Sequence, residues 1–496
     1  MSSRSRMRVS HASQSSPQMR VIKRIYSLPS RIIFDLTTCA IWSGPPVGIV
    51  RVESEFATWA LDQVDNVVFA FFDPGTGTFR HLNRDIIGRL LSDNAWLDIV
   101  PLRKRRRKTD RIPAAIRPYA MWFLQSRRTA LQTLERIRLT TATSRVACLA
   151  EIMQRAIIND KYSSKMMKAD GSRRAFFPVD MALGPSIKFQ SDDLLVCTGM
   201  GWAHNDIERI VALKRNSGCR FVLFCHDIIP LMSPQWFKKA DAELLRVYYS
   251  AAFPAADLVV FSSRVIEKDT RSYCAAHGIS LRATAICTLG ANAAAVAQAG
   301  RLPAGLEPGH YALLVGTIEP RKGHRLIHEI WKDLLASGIP QRARFKLVFA
   351  GREGWMVDDL MSDLRRTCED TDSLRLITDA DDATLTVLYR YAAFCLLPSR
   401  YEGFGLPAVE AFFHAKAVLA STGGAVPEVV RDFSPCLDPE DAVEWRRKLQ
   451  SWIEDSSVRA PYEARIRASF RHPNWDESAQ EFFALVQNIG TSSAPA

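Results

Sequence analysis

Two carboxylates flank a glycine-rich turn late in the chain. Glu402 and Glu410 have seven residues between them within the segment LLPSRYEGFGLPAVE, residues 396–410. An apolar run before the turn predicts a buried strand, and the spacing of Leu406 and Val409 predicts a helix after it. The start of a helix offers free backbone N–H groups to an anion, and a carboxylate about one turn inside it can accept hydrogen bonds from sugar hydroxyls. These residue types predict a nucleotide-sugar site.

The same segment resembles a known donor-site signature. Together with STGGAVPEVV at residues 421–430, it is similar to the signature of retaining glycosyltransferases of the GT-B fold, family 4 (glycosyltransferase group 1). The resemblance rests on an ordered series: PSRYEGFGLP, a helix, a strand at 417–421 and a GG-x-x-PE turn. It implies an α/β protein of two doubly wound Rossmann-like domains that face each other across a cleft. The alternative is an ordinary strand, turn and helix whose glutamates are only solvated.

A basic loop agrees with this interpretation. Residues 311–318, YALLVGTI, predict a buried strand, and Arg321 and Lys322 follow it before a helix. Such a loop is the usual phosphate crevice of a parallel sheet, where Arg can fork onto phosphate oxygens and Lys adds a compact charge. The resemblance implies that this pair neutralises the donor diphosphate as it leaves. Thr317 departs from the family, which often has arginine there, and two solvated cations at a helix start remain the alternative.

Two further positions come from the first half of the chain. His226 and Asp227 follow FVLFC, residues 221–225, at the carboxyl end of a predicted strand, where open α/β sheets bind ligands. The resemblance implies that His226 faces the donor sugar, whereas a structural histidine that caps the strand is the alternative. The family's glycine loop corresponds to residues 44–48. Only Gly48 is assigned from it, because the two prolines before it lack N–H donors.

Mapped residue by residue, the resemblance assigns a complete site. The assigned residues are Glu402, His226, Arg321 and Lys322 for catalysis, Gly316, Thr317, Gly403, Phe404, Gly405, Leu406 and Glu410 for the donor, and Gly48 and Asp227 for the acceptor or sugar side. Glu402 would hold the donor sugar and Glu410 the donor ribose. No metal or other cofactor is expected. The Asp-x-Asp at 379–381 precedes a helix predicted at 383–392, and capping of that helix by Asp381 or Asp382 accounts for it.

Alternating strand and helix patterns divide the chain into two blocks. We expect a disordered basic tail at 1–31 and an N-terminal, acceptor-side Rossmann-like domain at 32–290, with a basic helical insertion at about 103–174. A linker rich in Ala, Gly and Pro follows at 291–309. The C-terminal donor-binding domain is expected at 310–488, and the resemblance implies that its final helix packs back on the N-terminal domain.

The positive charge of the chain belongs to one region. Residues 103–174 contain 19 Lys or Arg against 5 Asp or Glu, an excess of +14, so the remainder of the +12 chain sums to −2. Basic helices that carry Trp and Phe can lie on an anionic membrane surface. An anionic membrane or acceptor is therefore the first expectation for this insertion, and a solvated insertion is the second. Nucleic acid is the least favoured partner, because no recognised binding motif accompanies the charge.

The length and amino-acid composition limit which classes of protein are possible. A chain of 496 residues with 47% hydrophobic and 9% aromatic residues can build two substantial cores. The ten cysteines include no CxxC pair and predict buried thiols in a reducing compartment. No apolar run reaches the ~18 residues of a membrane span. We expect a cytoplasmic protein, with peripheral attachment to the inner face of the membrane as the further expectation.

The expected function is sugar transfer. The resemblance implies that a sugar moves from a nucleoside-diphosphate sugar, GDP-mannose or a UDP-hexose, to a glycan or lipid-linked saccharide, with retention of configuration, in the synthesis of a bacterial surface polysaccharide. A non-catalytic GT-B scaffold at the membrane and a nucleotide-sugar epimerase are the rivals. A nicotinamide oxidoreductase is disfavoured, because no G-x-G-x-x-G follows the predicted first strand at 32–38.

Overall fold

The structure is a computed structural model. It describes residues 29–42, 48–93, 95–97, 129–137, 153, 176–291 and 301–489. Residues 1–28 of the predicted tail, most of the basic insertion and residues 292–300 of the linker lie outside the described residues.

The first sheet is mixed and has the strand order β10-β9-β8-β7-β1-β2-β3-β6. Its strands are β1 (Ile32–Asp35), β2 (Val67–Asp73), β3 (Thr78–Leu82), β6 (Leu183–Ser186), β7 (Leu194–Cys197), β8 (Arg220–Cys225), β9 (Leu258–Phe261) and β10 (Thr284–Ile286). The strands pair in parallel except at β2–β3 and β3–β6, which are antiparallel. Two short strands, β4 (Trp96–Leu97) and β5 (Phe176–Phe177), pair separately.

The second sheet is parallel and has the order β13-β12-β11-β14-β15-β16. Its strands are β11 (Tyr311–Val315), β12 (Lys346–Ala350), β13 (Leu374–Ile377), β14 (Phe394–Leu397), β15 (Val418–Ser421) and β16 (Cys436–Leu437). Strands β14 and β15 are buried throughout, as continuous apolar runs in a covered parallel sheet should be. In both sheets, consecutive parallel strands are joined mainly through helices.

The helices alternate with these strands. In chain order they are α1 (Thr37–Ile41), α2 (Ile49–Gln63), α3 (Arg84–Ser92), α4 (Val179–Ala182), α5 (Gly201–His204), α6 (Ile207–Ser217), α7 (Ile229–Met232), α8 (Lys239–Ala255), α9 (Arg264–Ala276), α10 (His324–Ala336), α11 (Ile339–Ala343), α12 (Asp358–Asp370), α13 (Asp382–Tyr391), α14 (Leu406–Phe413), α15 (Val426–Val430), α16 (Ala442–Glu454), α17 (Ala460–Ser469) and α18 (Trp475–Gln487). Short 3-10 turns lie at Pro234–Trp236, Pro320–Lys322 and Ser456–Val458. Residues 129–137, inside the basic insertion, are also helical.

The first strand is shorter than the predicted 32–38. It ends at Asp35, and the short helix α1 begins two residues later. The reason is local, because the Asp35 carboxylate accepts a 3.0 Å hydrogen bond from the Thr37 backbone N–H and a second one from the Thr37 hydroxyl. A side chain that bonds to backbone two residues ahead turns the chain out of the strand.

The last helix packs on the N-terminal domain. The Phe482 ring stacks on Phe56 of α2 with centroids 4.7 Å apart, and Phe483 stacks on Trp59 at 5.3 Å. Phe482 also lies 5.9 Å from Phe224 of β8. Through these aromatic contacts the last helix becomes part of the hydrophobic core of the first sheet. The two domains therefore share apolar surface.

Among the described residues, no helix is both long and apolar enough to cross a bilayer. The described cysteines are free thiols, and most of them are buried, including Cys225 and Cys395. Burial raises the pKa of the Cys395 thiol to about 12, so this side chain behaves as a small apolar group at neutral pH.

Candidate active site

Glu402 is the centre of a buried charge network. Its carboxylate accepts hydrogen bonds from Lys322 Nζ at 2.7 and 2.9 Å and from Arg321 Nη1 at 2.9 Å. The Ser399 hydroxyl donates a further bond of 2.6 Å to Glu402 Oε1. Glu319 completes the network with an ion pair of 2.8 Å to Arg321 Nη2. The basic loop after β11 and the loop after β14 are therefore joined through Glu402.

The network keeps Glu402 ionised. Burial alone would raise the pKa of this carboxyl, but Lys322 and Arg321 outweigh it and lower the pKa to about 2. The pKa of Glu319 shifts in the opposite direction. Burial raises the pKa of this carboxyl despite the neighbouring Arg321. Two buried atoms, Arg321 Nε and Glu319 Oε2, have no hydrogen-bond partner among the described residues.

Gly403 brings the loop of Glu402 against the facing domain. A Cβ at Gly403 would lie 2.8 Å from the carbonyl oxygen of His226 and 3.2 Å from the Asp227 Cβ. Only glycine can approach the backbone so closely. Gly405, two residues on, has φ +110° and precedes α14 as its N-cap. The structure thus brings Glu402, Arg321 and Lys322 to the segment that contains His226 and Asp227.

His226 is held as a neutral side chain. Its Nε2 lies 2.7 Å from the carbonyl oxygen of Thr198, which can only accept, so Nε2 carries the proton. Burial lowers the pKa of His226 to about 4. Burial also raises the pKa of the adjacent Asp227 carboxyl, although Arg321 opposes this shift. At neutral pH the ring is uncharged, so it can orient a ligand but has no imidazolium proton to donate as an acid.

Glu410 lies in a second, neighbouring network rather than beside Glu402. The Tyr389 hydroxyl donates a 2.8 Å hydrogen bond to Glu410 Oε2, and Arg51 Nη1 lies 3.8 Å from Oε1. Arg51 also forms a 2.8 Å ion pair with Asp382. Burial raises the pKa of the Glu410 carboxyl. The two glutamates share no hydrogen-bond or ion-pair partner among the described residues.

A cavity of ≈ 200 Å³ opens beside Glu410. It is lined by α2, α13 and α14 together with Trp475, so both domains contribute to it. Arg51 is its cation, and Leu406 from the glycine-rich turn forms part of its wall. Glu55, Asp382 and Glu410 line the cavity together with Arg51. Carboxylates that accept hydrogen bonds, as Glu410 does from the Tyr389 hydroxyl, fit a ligand that also carries hydroxyl groups.

The other residues assigned to the site from the sequence lie in loops or at a helix start around these networks. Gly316 follows β11 with φ +150°, and Thr317 is half-buried beside it. Phe404 is buried and lies 5.9 Å from the His472 ring. Gly48 is the N-cap of α2, the helix that carries Arg51, and residues 43–47 before it lie outside the described residues.

The predicted capping of α13 is confirmed. Asp381 Oδ1 accepts a 2.8 Å hydrogen bond from the backbone N–H of Thr384, so this carboxylate caps the helix. Within the described part of the chain, no group of three or more His, Cys, Asp or Glu side chains could hold a metal ion. Metal independence remains a prediction.

Several side chains at the site were not found from the sequence. They are Ser399, Glu319, Arg51, Tyr389, Ser262, Ser263 and Glu428. Ser399 lies within the recognised signature, three residues before Glu402. This short separation is the feature of the sequence that could have indicated a contact between the two side chains. Arg51 and Tyr389 come from distant parts of the chain, and only the fold brings them to Glu410.

Comparisons with known proteins agree with this geometry. Residues 305–469 match the family model of glycosyl transferases group 1. The serotype-specific mannosyltransferase WbdA of Escherichia coli is 24% identical over 327 residues, which cover 63% of this chain and 39% of WbdA. The O-antigen chain mannosyltransferase B of Escherichia coli is 32% identical over 166 residues, 34% of this chain and 42% of that protein. The matches thus span about two fifths of the length of these curated relatives.

A solved structure gives the fold. HepE of Anabaena, in complex with UDP and glucose, superposes with a TM-score of 0.54 over 92% of this chain and 99% of HepE, at 13% identity. The chain has the GT-B fold, and its residues 305–469 are similar to glycosyl transferases group 1. The predicted fold and the resemblance to group 1 glycosyltransferases are confirmed, and retention of configuration remains a prediction.

Proposed function

We propose that this chain transfers a sugar from a nucleoside-diphosphate sugar to a glycan or lipid-linked saccharide acceptor. The observation that carries the proposal is the convergence of Arg321 and Lys322 on Glu402, next to His226 and Asp227 of the facing domain. Cations, a fixed carboxylate and a cleft between two domains are what a departing diphosphate and a sugar ring require.

Stabilisation of the leaving group is the main chemical task. A glycosyl phosphate leaves with positive charge on the sugar ring and negative charge on the diphosphate, so fixed cations lower the barrier. The Arg321 and Lys322 side chains are only 15% and 14% exposed, where charge interactions are stronger than in open water.

Glu402 and Glu410 each bind a different part of the donor in this proposal. Glu402 stays ionised and accepts hydrogen bonds from hydroxyl groups of the donor sugar, while it keeps the two cations in place. Glu410 accepts from ribose hydroxyls in the cavity beside Arg51 and Tyr389. Burial keeps the pKa of His226 near 4, so the histidine is a weak base, and in this proposal the departing phosphate takes the acceptor proton. Retention of configuration is carried over from the resemblance to group 1 glycosyltransferases.

GDP-mannose is the first candidate donor and UDP-hexoses are the next. The support for mannose is that two relatives from Escherichia coli are named as mannosyltransferases, one of them for the O-antigen chain. The proposed product is accordingly part of a bacterial surface polysaccharide. Thermal shift with GDP-mannose, UDP-glucose, UDP-galactose and UDP-N-acetylglucosamine ranks the donors, because a ligand that binds only the folded state raises its melting temperature. No metal takes part in this proposal, and transfer in the presence of EDTA tests that point.

A non-catalytic scaffold is the second candidate. It is favoured by one observation: Glu402 and Glu319 already pair with Arg321 and Lys322, so these cations have partners whether or not a sugar is transferred. Release of free nucleoside diphosphate only in the presence of an acceptor supports the enzyme. Binding of a donor without any release supports the scaffold.

The basic insertion provides a membrane contact in this proposal. The +14 excess of residues 103–174 would attract anionic lipid, and exposed charges lose most of their reach beyond about 8 Å at physiological ionic strength. Sedimentation with anionic liposomes at low salt, release at high salt, and loss of binding when Arg103, Arg105, Arg106 and Arg107 are neutralised together would support it. Equal sedimentation with neutral and anionic liposomes would leave a solvated insertion.

A further inference from the structure

The loop that carries Glu402 is tied to one place on the N-terminal domain. The carbonyl oxygen of Gly403 accepts hydrogen bonds from the Ser262 hydroxyl at 3.2 Å and the Ser263 hydroxyl at 3.1 Å. Both serines are almost fully buried, with exposures of 3% and 1%. Ser263 is also the N-cap of α9, since its hydroxyl oxygen accepts from the Ile266 N–H. Two side chains at the start of α9 therefore hold the residue next to Glu402.

Glu428 reaches the same helix start from the opposite domain. Its carboxylate accepts from the Arg264 N–H at 3.1 Å, through both oxygens, and from the Val265 N–H at 3.3 Å. Those N–H groups belong to the first turn of α9, where they have no partner within the helix and the helix dipole attracts negative charge. Glu428 thus caps a helix of one domain while it belongs to a helix of the other.

The turn that carries Glu428 is itself bonded to Glu402. The Ala425 N–H donates a 2.9 Å hydrogen bond to the carbonyl oxygen of Glu402. On the other side of Glu402, the Tyr401 hydroxyl bonds to Asp269, further along α9. Tyr401 before Glu402 and Gly403 after it are therefore both bonded to α9 and its N-cap, across the boundary between the two domains. Glu428, on the turn that is bonded to Glu402, caps the same helix.

We propose that Glu428 and Ser262 are positioning residues for sugar transfer: they anchor the Glu402 loop to α9, so that Gly403 rests on the His226–Asp227 segment. This anchor rests on the proposed function for its effect on catalysis. Arg321 and Lys322 belong to the C-terminal domain and reach Glu402 within it, so binding of the nucleoside diphosphate does not need the anchor. Its loss should slow transfer and leave diphosphate affinity in place.

The test compares Glu428→Ala, Glu428→Gln and Ser262→Ala with Glu444→Gln, which alters an exposed i,i+3 pair with Arg447 in the same domain. Glu428→Gln keeps an oxygen acceptor and the side-chain volume, so it separates charge from packing. We expect kcat to fall roughly 5- to 30-fold in Glu428→Ala, as a contact of one or two hydrogen bonds to a charged group implies, with a smaller loss in the other two. The Kd for the nucleoside diphosphate should change less than about twofold, and Glu444→Gln should behave as wild type.

Amide hydrogen exchange gives a readout that does not depend on activity. The Arg264 and Val265 amides should exchange slowly in the wild type and faster in Glu428→Ala, because the carboxylate that protects them is gone. Unchanged exchange together with unchanged kcat would overturn the anchor, and so would an equal loss of kcat and diphosphate affinity. If the wild type transfers no sugar, the proposed function fails, and the exchange comparison alone then decides whether Glu428 caps α9.

Discussion

Lys322 Nζ lies 2.7 Å from Glu402 Oε1, although the two residues come from loops that follow different strands. Strands β11 and β14 are neighbours in the second sheet, so their carboxyl ends lie side by side. Arg321 adds a second ion pair to the same carboxylate at 2.9 Å. The charge of the phosphate loop is therefore balanced before any donor arrives, and a donor must enter a site whose cations already have partners.

Replacing Glu402 by Gln should abolish transfer and also lower stability. The substitution leaves Arg321 and Lys322 buried with less compensating charge, and breaking a buried pair costs about 3–5 kcal/mol. Thermal unfolding should therefore show a lower melting temperature for this variant than for the wild type. The control is Glu440→Gln, since Glu440 pairs with Arg400 on the surface. Equal stability of Glu402→Gln and wild type would contradict the charge network.

Removing either cation should weaken binding of the nucleoside diphosphate product. Arg321→Ala or Lys322→Ala deletes a charge-assisted hydrogen bond worth about 1.5–3 kcal/mol, so the Kd should rise roughly 10- to 150-fold. Calorimetric titration with GDP and UDP measures this. Lys346→Ala is the matched control, because Lys346 pairs with the exposed Asp372 in the same domain. Unchanged affinity in both cation variants would remove the loop from the phosphate site.

Binding of the diphosphate should be accompanied by proton uptake. Burial raises the pKa of both Glu319 and Asp227, and a diphosphate brought near Arg321 adds negative charge that raises these pKa values further. Affinity should therefore increase as the pH falls toward the pKa of these carboxyls. Calorimetry in buffers of different ionisation enthalpy counts the protons. Because the ligand also titrates, the decisive comparison is Glu319→Gln, which should take up fewer protons than wild type. An identical count would contradict this role of Glu319.

His324→Leu should stabilise the protein, most of all in acid. His324 is 1% exposed, and neither ring nitrogen has a hydrogen-bond partner among the described residues. Burial lowers its pKa to about 3. The unfolded chain therefore takes up the proton first as pH falls, and stability is lost between about pH 6.5 and about 3, with no such loss above 6.5.

Leucine removes both the proton uptake and the unpaired nitrogens, the latter worth about 1–3 kcal/mol. Urea unfolding of wild type and variant at pH 7 and pH 4.5 measures the difference, which should be larger at pH 4.5. His277→Leu is a suitable control, because His277 is exposed at the end of α9. A variant less stable than wild type at both pH values would show that the packing of His324, including its edge contact with the Phe349 ring, outweighs the cost of the unpaired nitrogens.

The sequence predicted most of the second domain because its strands are continuous buried runs and its loops carry a recognisable signature. Strand β14 lies where the apolar run before the glycine-rich turn predicted a buried strand, and Arg321, Lys322 and Glu402 do lie together. The edge strands β3 and β6 were not predicted, because short half-exposed strands lack a distinct apolar run. The partners of Glu410 were not predicted either. Spacing along the chain places both glutamates near one turn, whereas the partners of Glu410 come from α2 and α13.

One assay decides whether sugar transfer takes place at the Glu402 site. Purified protein is incubated with a saccharide acceptor and each of the four donors, and mass spectrometry of the acceptor is combined with measurement of released nucleoside diphosphate. We expect the wild type and Glu444→Gln to yield an acceptor heavier by one sugar, with an equal amount of diphosphate released, and Glu402→Gln to yield neither. A wild type that binds donor without product or release, or a Glu402→Gln variant as active as the wild type, would contradict the account.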